Sequence, residues 1–287
     1  MRPIIPLKSL LVLAIALLLT ACASGPKIDR SYTSENQDSR ALFLVLHYTV
    51  IDWEKSLRVL TTGGQVSSHY LVRDEPARSY LLVDENRRAW HAGPSFWAGH
   101  THLNASSIGI EIVNAGYVDG PYGRVYAKFP EAQVDEVVAL VKDIAYRHQI
   151  RPERIIGHAD IAPGRKQDPG PNFPWKRLAD EGIIPWPDLA QVQLAKPLFE
   201  TQLPDAAWFQ DKLSRIGYNL PRSGELDEMT RDTLSTFQMK YRPSDYSGRA
   251  DAETAALLDV MLSPGGLLLN ASGSAAAPKP KPYTSRW

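Results

Sequence analysis

The sequence predicts an α/β domain, with a central mixed sheet flanked by helices, followed by a small all-α unit. Residues 41–46 are continuously apolar, which is typical of a strand buried on both faces. Residues 107–113 alternate, with three isoleucines on one face and Glu111 on the other. Residues 131–148 place valine and isoleucine at helical spacing, which indicates an amphipathic helix. Strands and helices that alternate in this way favour a shared central sheet.

Composition excludes several classes of protein. The 287 residues include 32 Lys+Arg and 32 Asp+Glu, so the formal net charge is zero, and no nucleic-acid partner is expected because such proteins usually carry a basic excess. With 44% hydrophobic and 22% charged residues, the composition is that of a globular protein. A polytopic membrane protein is excluded, since no interior stretch reaches about 18 apolar residues. The single cysteine excludes an intramolecular disulfide and a cysteine-rich metal site.

The N-terminal segment has the pattern of a secretory signal. Arg2 and Lys8 precede an apolar run over residues 10–19, which is too short for a stop-transfer helix. We therefore predict that residues 1–21 are a signal peptide rather than part of the fold.

The end of this segment, Leu19-Thr20-Ala21-Cys22, resembles the lipobox of bacterial lipoproteins. The resemblance implies cleavage before Cys22 and acylation of its thiol; the alternative is an ordinary secretion signal with a free thiol. Ala23 in place of an aspartate resembles the sorting pattern for the outer membrane. We expect a lipid-anchored protein that faces the periplasm, with residues 22–40 as a polar tether.

The rest of the chain divides into two folded regions and a tail. Residues 41–187 form the predicted α/β domain, in which residues 154–157 are a short strand leading to His158. Residues 200–262 are predicted to form three helices that begin at Asp205, at Asp227 or Glu228, and at Asp251. Residues 263–287, rich in Gly, Ala, Lys and Pro, are predicted to be a disordered tail.

Histidines mark the candidate chemistry. His47 ends the first predicted strand, where a buried imidazole needs partners for both nitrogens; a metal ion or a core hydrogen bond would supply one. His158 opens a loop that is punctuated by prolines and glycines, so the chain can fold back and bring Asp168 to it. Two imidazoles and one carboxylate form a hydrolytic zinc site that leaves a position for water. A solvated turn with an incidental histidine is the alternative.

Five motifs occur in register over most of residues 41–187: His47-Tyr48-Thr49, Ser68-His69-Tyr70, Trp90-His91-Ala92-Gly93, Asn104…Ser107-Ile-Gly-Ile-Glu111 and Gly157-His158…Lys166…Asp168-Pro-Gly-Pro171. In this order they resemble the zinc-dependent N-acetylmuramoyl-L-alanine amidases of the type 2 amidase family, whose fold is similar to that of peptidoglycan-recognition proteins. The region 200–262 resembles a peptidoglycan-binding domain found in that family.

The resemblance implies a role for each matching residue. His47, His158 and Asp168 would bind one Zn²⁺ per chain, Glu111 would be the catalytic acid and base, and Lys166 would stabilise the transition state. Further candidates for substrate contact are Tyr70, His69, Trp90, His91 and Asn104. The histidines among them could instead orient the metal ligands, or be ordinary hydrogen-bonded residues.

The implied reaction is hydrolysis of the amide between the lactyl group of N-acetylmuramic acid and L-alanine of the peptidoglycan stem peptide, in cell-wall turnover. The expected partners are peptidoglycan or muropeptides and, through Cys22, the lipid of the outer membrane. We expect a monomer. The alternatives are a non-catalytic peptidoglycan-recognition protein, which would be expected to have lost a metal ligand, and a zinc murein endopeptidase.

Overall fold

A computed structural model describes residue 26, residues 28–121 and residues 123–269. The chain separates into two units, 1–38 and 39–287. In the first unit, the exposed Asp29 accepts a hydrogen bond of 2.8 Å from the backbone of Ser31. The predicted signal peptide, Cys22 and most of the predicted tail lie outside the described residues. Among the helices that are described, none is long and apolar enough to cross a bilayer.

Eleven strands are present in the described part of the second unit. In chain order they are β1 (Phe43–Tyr48), β2 (Tyr70–Arg73), β3 (Arg78–Leu81), β4 (Phe96–Trp97), β5 (His100–Thr101), β6 (Ser107–Ile112), β7 (Tyr117–Gly120), β8 (Gly123–Tyr126), β9 (Ile155–Gly157), β10 (Trp186–Pro187) and β11 (Leu267–Leu268). Five of them form the central sheet in the order β3-β2-β6-β1-β9. The other six pair as β4–β5, β7–β8 and β10–β11.

The central sheet is mixed, as the sequence predicts. Strands β2, β6, β1 and β9 run parallel, and β3 is antiparallel to β2. The register places His47 opposite Glu111 and Leu46 opposite Gly157. Because parallel strands end at the same edge of a sheet, His47, Glu111 and the residue after Gly157 meet at the carboxyl edge, where α/β proteins usually bind ligands.

Eight α-helices accompany these strands: α1 (Trp53–Thr61), α2 (Glu131–His148), α3 (His158–Ile161), α4 (Trp175–Asp180), α5 (Leu189–Thr201), α6 (Ala206–Ile216), α7 (Glu228–Tyr241) and α8 (Ala252–Leu262). Helix α2 has the bounds that its periodicity predicts. Its buried valines join the isoleucines of β6 in one core cluster, so α2 covers one face of the sheet.

The C-terminal helices begin where the sequence predicts. Asp205, Asp227 and Asp251 are the N-caps of α6, α7 and α8, and each side chain accepts a backbone N–H three residues later at 2.8–2.9 Å. Such caps typically contribute about 1 kcal/mol each. Helix α5, which the sequence analysis does not predict, packs along α8 and fills the interval between the two predicted regions.

The two predicted regions share a core. A second cluster of buried residues combines Phe43 and Val45 of β1 and Ile156 of β9 with Phe209 of α6 and Phe237 of α7. The helices therefore cover the second face of the central sheet. As a result, residues 39–287 form one unit, and the C-terminal helices are packed directly behind the strands that carry the candidate site.

Candidate active site

Three candidate ligands meet at the carboxyl edge of the sheet. Nδ1 of His47 lies 2.9 Å from Nδ1 of His158 and 3.1 Å from Oδ2 of Asp168. Nδ1 of His158 lies 3.0 Å from the same carboxylate oxygen. All three residues are buried. His158 is placed by β9, and Asp168 is placed by the folded-back loop, whose backbone oxygen at Asp168 accepts the Ala159 N–H at 2.8 Å.

The hydrogen bonds fix which nitrogen of His158 carries its proton. Nε2 of His158 lies 3.1 Å from the backbone oxygen of Ala92. Because a carbonyl oxygen only accepts, Nε2 is the donor. In the neutral ring, Nδ1 then presents a lone pair towards His47 and Asp168.

A chain of hydrogen bonds fixes His47 in the same way. The hydroxyl of Ser107 donates to the Leu103 carbonyl at 2.6 Å, so it accepts from Nε2 of His91 at 3.1 Å. Nδ1 of His91 is then an acceptor, and Nε2 of His47 donates to it at 2.9 Å. The lone pair of the neutral His47 ring is therefore on Nδ1, and it points into the space that Nδ1 of His158 also faces.

The charge states complete this arrangement. Burial lowers the pKa of His47 to about 4, helped by the charge that His158 would carry, so His47 is neutral at pH 7. Burial alone would raise the pKa of Asp168, but His158 and His47 more than offset it, and the pKa lies well below its usual range. Two imidazole nitrogens and a carboxylate oxygen thus converge within 3.1 Å of one another.

This donor set fits a divalent cation. Nitrogen and oxygen ligands about 2.0–2.2 Å from one tetrahedral zinc ion lie roughly 3.3–3.5 Å apart. The observed separations of 2.9–3.1 Å need only a small expansion to reach those values. His47, His158 and Asp168 could therefore hold a metal ion.

Glu111 lies beside this group, opposite His47 in the sheet register. Its Oε2 is buried and has no hydrogen-bond partner. Burial raises the pKa of Glu111 to about 8, the charge of Asp168 adds to the rise, and Lys166 opposes it. A carboxyl group that titrates this close to neutrality can both accept and donate a proton under physiological conditions.

Two adjoining cavities reach these groups from solvent. One, of about 230 Å³, is lined by Glu111, Asp168 and Lys166 together with apolar side chains from α1 and the segment after β1. The other, of about 400 Å³, is lined by Lys166, Trp90 and several polar or cationic residues. Lys166 lines both cavities, and His158 lines both with it.

Comparisons with known proteins agree with this geometry. Residues 37–171 match the family described as "N-acetylmuramoyl-L-alanine amidase". N-acetylmuramoyl-L-alanine amidase AmiD of Escherichia coli (strain K12) is 42% identical over 267 residues, which cover 88% of this chain and 96% of that protein. The chain belongs to the N-acetylmuramoyl-L-alanine amidase family. The predicted family, fold class and enzyme class are thereby confirmed.

Solved structures extend the similarity to most of the amidase. One solved structure is that of E. coli AmiD in complex with the substrate anhydro-N-acetylmuramic acid-L-Ala-D-gamma-Glu-L-Lys. Its similarity to this chain has a TM-score of 0.72 at 40% sequence identity, and it covers 81% of this chain and 92% of the AmiD chain. AmpDH3 of Pseudomonas aeruginosa, in complex with an anhydromuramic pentapeptide, has a TM-score of 0.75 at 40% identity, with coverage of 82% and 97%. Residues 202–258 of this chain match the family described as "Putative peptidoglycan binding domain".

The amidase places the five substrate-contact candidates in different environments. Trp90 is 52% exposed and lines both cavities, so its position suits contact with substrate. Asn104 borders the larger cavity, but its Oδ1 accepts the backbone N–H groups of His91 and Ala92 at 3.0 and 2.8 Å. His91 borders both cavities while its ring bonds to His47.

His69 and Tyr70 are not among the residues that line either cavity. His69 is fully buried, with Nδ1 accepting the Gly109 N–H at 3.0 Å and Nε2 donating to the Arg87 carbonyl at 3.1 Å. The Tyr70 hydroxyl donates to Glu85 at 2.7 Å. His69 is thereby tied to the strand that carries Glu111, whereas the Tyr70 side chain is half-buried.

One short segment, residues 91 and 92, supports both histidine ligands; the sequence left an orienting role for His91 open as an alternative but did not indicate the part played by the Ala92 carbonyl. The ring of His91 fixes His47, and the carbonyl of Ala92 fixes His158. Gly109 makes room for this segment, because a Cβ there would lie 2.5 Å from Cγ of His91. A glycine inside a strand often marks such a close approach. That glycine was the available signal, although it does not identify the approaching residue.

Proposed function

We propose that the amidase holds one Zn²⁺ per chain between His47, His158 and Asp168 and uses it to hydrolyse the amide between N-acetylmuramic acid and L-alanine. The convergence of two imidazole nitrogens and one carboxylate oxygen within 3.1 Å carries the proposal. Zinc bound there supplies the Lewis acidity that activates water and polarises a carbonyl.

Glu111 moves the protons of this reaction. In the metal-free protein its pKa of about 8 keeps the carboxyl largely protonated at pH 7. A nearby divalent charge favours the carboxylate, which brings the group into the range suited to a general base. Glu111 then takes the proton of the attacking water and passes a proton to the amine of L-alanine as it leaves.

Lys166 stabilises the oxygen of the scissile carbonyl. Its position on both cavities supports a role in which the ammonium group meets the negative charge that develops as the water attacks. Removing one such donor commonly costs about 2.7–4 kcal/mol of transition-state stabilisation. Trp90, which is exposed beside the same space, offers an apolar face for a sugar ring or peptide.

We further propose that muropeptides or peptidoglycan are the substrate, as the ligands in the AmiD and AmpDH3 complexes are of this type. The match of residues 202–258 to a peptidoglycan-binding family supports a contact between the C-terminal helices and the wall. Anchoring through acylated Cys22 in the outer membrane, facing the periplasm, would raise the effective concentration of enzyme at the murein. The lipobox-like residues 19–22 support that location.

Two experiments test these proposals. Digestion of murein by the purified protein should release stem peptides that begin with L-alanine, and EDTA should stop the release; truncated peptides would instead show an endopeptidase. Replacing Cys22 by alanine should move the protein from the outer-membrane fraction to the soluble periplasm, since about 0.8 kcal/mol is lost per buried CH₂ of each acyl chain. An unchanged distribution would contradict the lipid anchor.

A further inference from the structure

A buried carboxylate lies next to the proposed metal site without belonging to it. Asp160 is 3% exposed and follows His158 by two residues in α3. Its Oδ2 accepts the backbone N–H of Gly157 at 2.8 Å, so the side chain bridges back across the residue that serves as a ligand. This bond fixes the backbone on both sides of His158.

The partners of this carboxylate come from the C-terminal helices. Nζ of Lys240, on α7, lies 3.4 Å from Oδ2 of Asp160, and the hydroxyl of Tyr218, just after α6, donates to Oδ1 at 2.7 Å. Both side chains are buried. Removing one partner of a buried ion pair is strongly destabilising, so Lys240 helps to hold the Asp160 side chain in this hydrogen-bonded position.

The turn around Asp160 has little freedom to move independently of the ligands. Ala159 donates its backbone N–H to the carbonyl of Asp168 at 2.8 Å, which ties α3 to the second ligand segment. A Cβ on Gly157 would lie 2.8 Å from Pro169 and 3.2 Å from Trp175. Because the backbone is packed this closely, a shift of Asp160 is passed to both His158 and Asp168.

The C-terminal helices are also locked against this side of the sheet. Ala98 donates its backbone N–H to the Gly217 carbonyl at 2.9 Å, and the rings of Trp97 and Tyr218 pack edge to face with centroids 4.9 Å apart. The Lys240 ammonium lies 4.1 Å from the ring centroid of Trp175. Contacts with Trp97 and Trp175 therefore hold Tyr218 and Lys240 in place next to Asp160.

We propose that Lys240 and Tyr218 are positioning residues of the metal site, acting through Asp160 on the backbone of His158. The C-terminal helices then have a second role besides any contact with the wall, because they complete the support of a metal ligand. This inference rests on the proposed function, since it concerns the same metal site. Loss of residues that orient metal ligands typically weakens metal binding about 10–100-fold.

The test compares three variants of the full chain. Lys240→Met keeps the aliphatic stem but removes the charge, and Tyr218→Phe removes only the hydroxyl. Lys212→Met is the matched control, because Nζ of Lys212 pairs with Asp259 at 2.7 Å within the C-terminal helices and takes no part in the Asp160 network. Zinc affinity is measured by competition with a chromophoric chelator, the fold by circular dichroism, and kcat and KM on a muropeptide.

We expect zinc to bind about 10-fold more weakly to Lys240→Met, and more weakly to Tyr218→Phe, with lower kcat at limiting zinc and nearly unchanged KM. Lys212→Met should match the wild type. Folded variants at Lys240 and Tyr218 that bind zinc as the wild type does would overturn the inference, as would an equal loss in Lys212→Met. If Lys240→Met does not fold, the zinc affinity of Tyr218→Phe alone decides whether the inference holds. A wild-type protein that binds no zinc would instead contradict the proposed function.

Discussion

Replacing Glu111 by glutamine should change the stability of the metal-free amidase and its activity in opposite directions. Glutamine has the shape of a protonated glutamate but cannot ionise. The wild-type carboxyl has a pKa of about 8 in the folded state, against an ordinary value of 4.5, and burial is the main cause. Well below pH 4.5 the Glu111 carboxyl is protonated in both the folded and the unfolded states, so its ionisation does not change the free energy of unfolding. Between pH 4.5 and 8 only the unfolded state ionises freely, and folding stability falls as pH rises.

The size of the stability difference between variant and wild type follows from the interval between these two pKa values. Stability falls by about 1.4 kcal/mol for each pH unit, so between pH 4.5 and pH 7 the metal-free wild type loses roughly 3 kcal/mol that Glu111→Gln retains. The assay is urea unfolding in EDTA at pH 7 and at pH 4.5, with Glu54→Gln as a control at an exposed carboxylate. The variant should be the more stable protein at pH 7, and the difference should nearly disappear at pH 4.5.

The same substitution should lower the rate of the reaction. Loss of a general acid and base typically costs 10²–10⁴-fold in rate, so zinc-loaded Glu111→Gln should cleave a muropeptide at least about 100-fold more slowly than the wild type. Zinc content should not change. If the metal-free variant is no more stable than the wild type at pH 7, the account of a desolvated carboxyl is wrong. Full activity of the zinc-loaded variant would refute the role in proton transfer.

Substitutions at three further positions test the surroundings of the metal site. Lys166→Met should lower kcat about 10²–10³-fold while zinc affinity stays unchanged, as titration with a chelator and steady-state kinetics would show; equal losses in both would contradict a role at the oxyanion. Gly109→Ala should displace His91 and weaken zinc binding, because the new Cβ would lie 2.5 Å from the ring, and wild-type affinity would argue against that contact. Asn104→Leu should weaken zinc binding, because it removes the acceptor of two backbone N–H groups. Asn104→Asp keeps an oxygen acceptor there and should retain most of the affinity for zinc. Equal zinc affinity in the two variants would exclude this positioning role.

Much of the fold could be predicted because single segments carry the signal. The apolar run before His47 and the alternation around Glu111 indicate β1 and β6, and the aspartate N-caps mark α6 to α8 where the structure has them. Helix α5 was missed although Asp188 caps it, since Pro197 lies inside it and its apolar residues remain largely exposed.

The convergence of the metal ligands could be inferred only in part from the residues. Strand ends and loop-breaking residues allowed His47, His158 and Asp168 to meet, but only the fold shows their atoms within 3.1 Å of one another. The roles of His91 and Asp160 depend on contacts between segments distant in sequence. No spacing predicts that Asp160 pairs with Lys240, 80 residues away.

The central claim is most directly tested by metal content together with product identity. Wild type and Asp168→Ala are purified, freed of metal, given zinc and dialysed, and their zinc is counted while mass spectrometry follows the cleavage of a defined muropeptide. We predict about one zinc per wild-type chain, cleavage that returns only with the metal, and a released peptide that begins with L-alanine, with neither zinc nor cleavage in Asp168→Ala. A full complement of zinc in the variant, or undiminished cleavage by the metal-free wild type, would contradict the account.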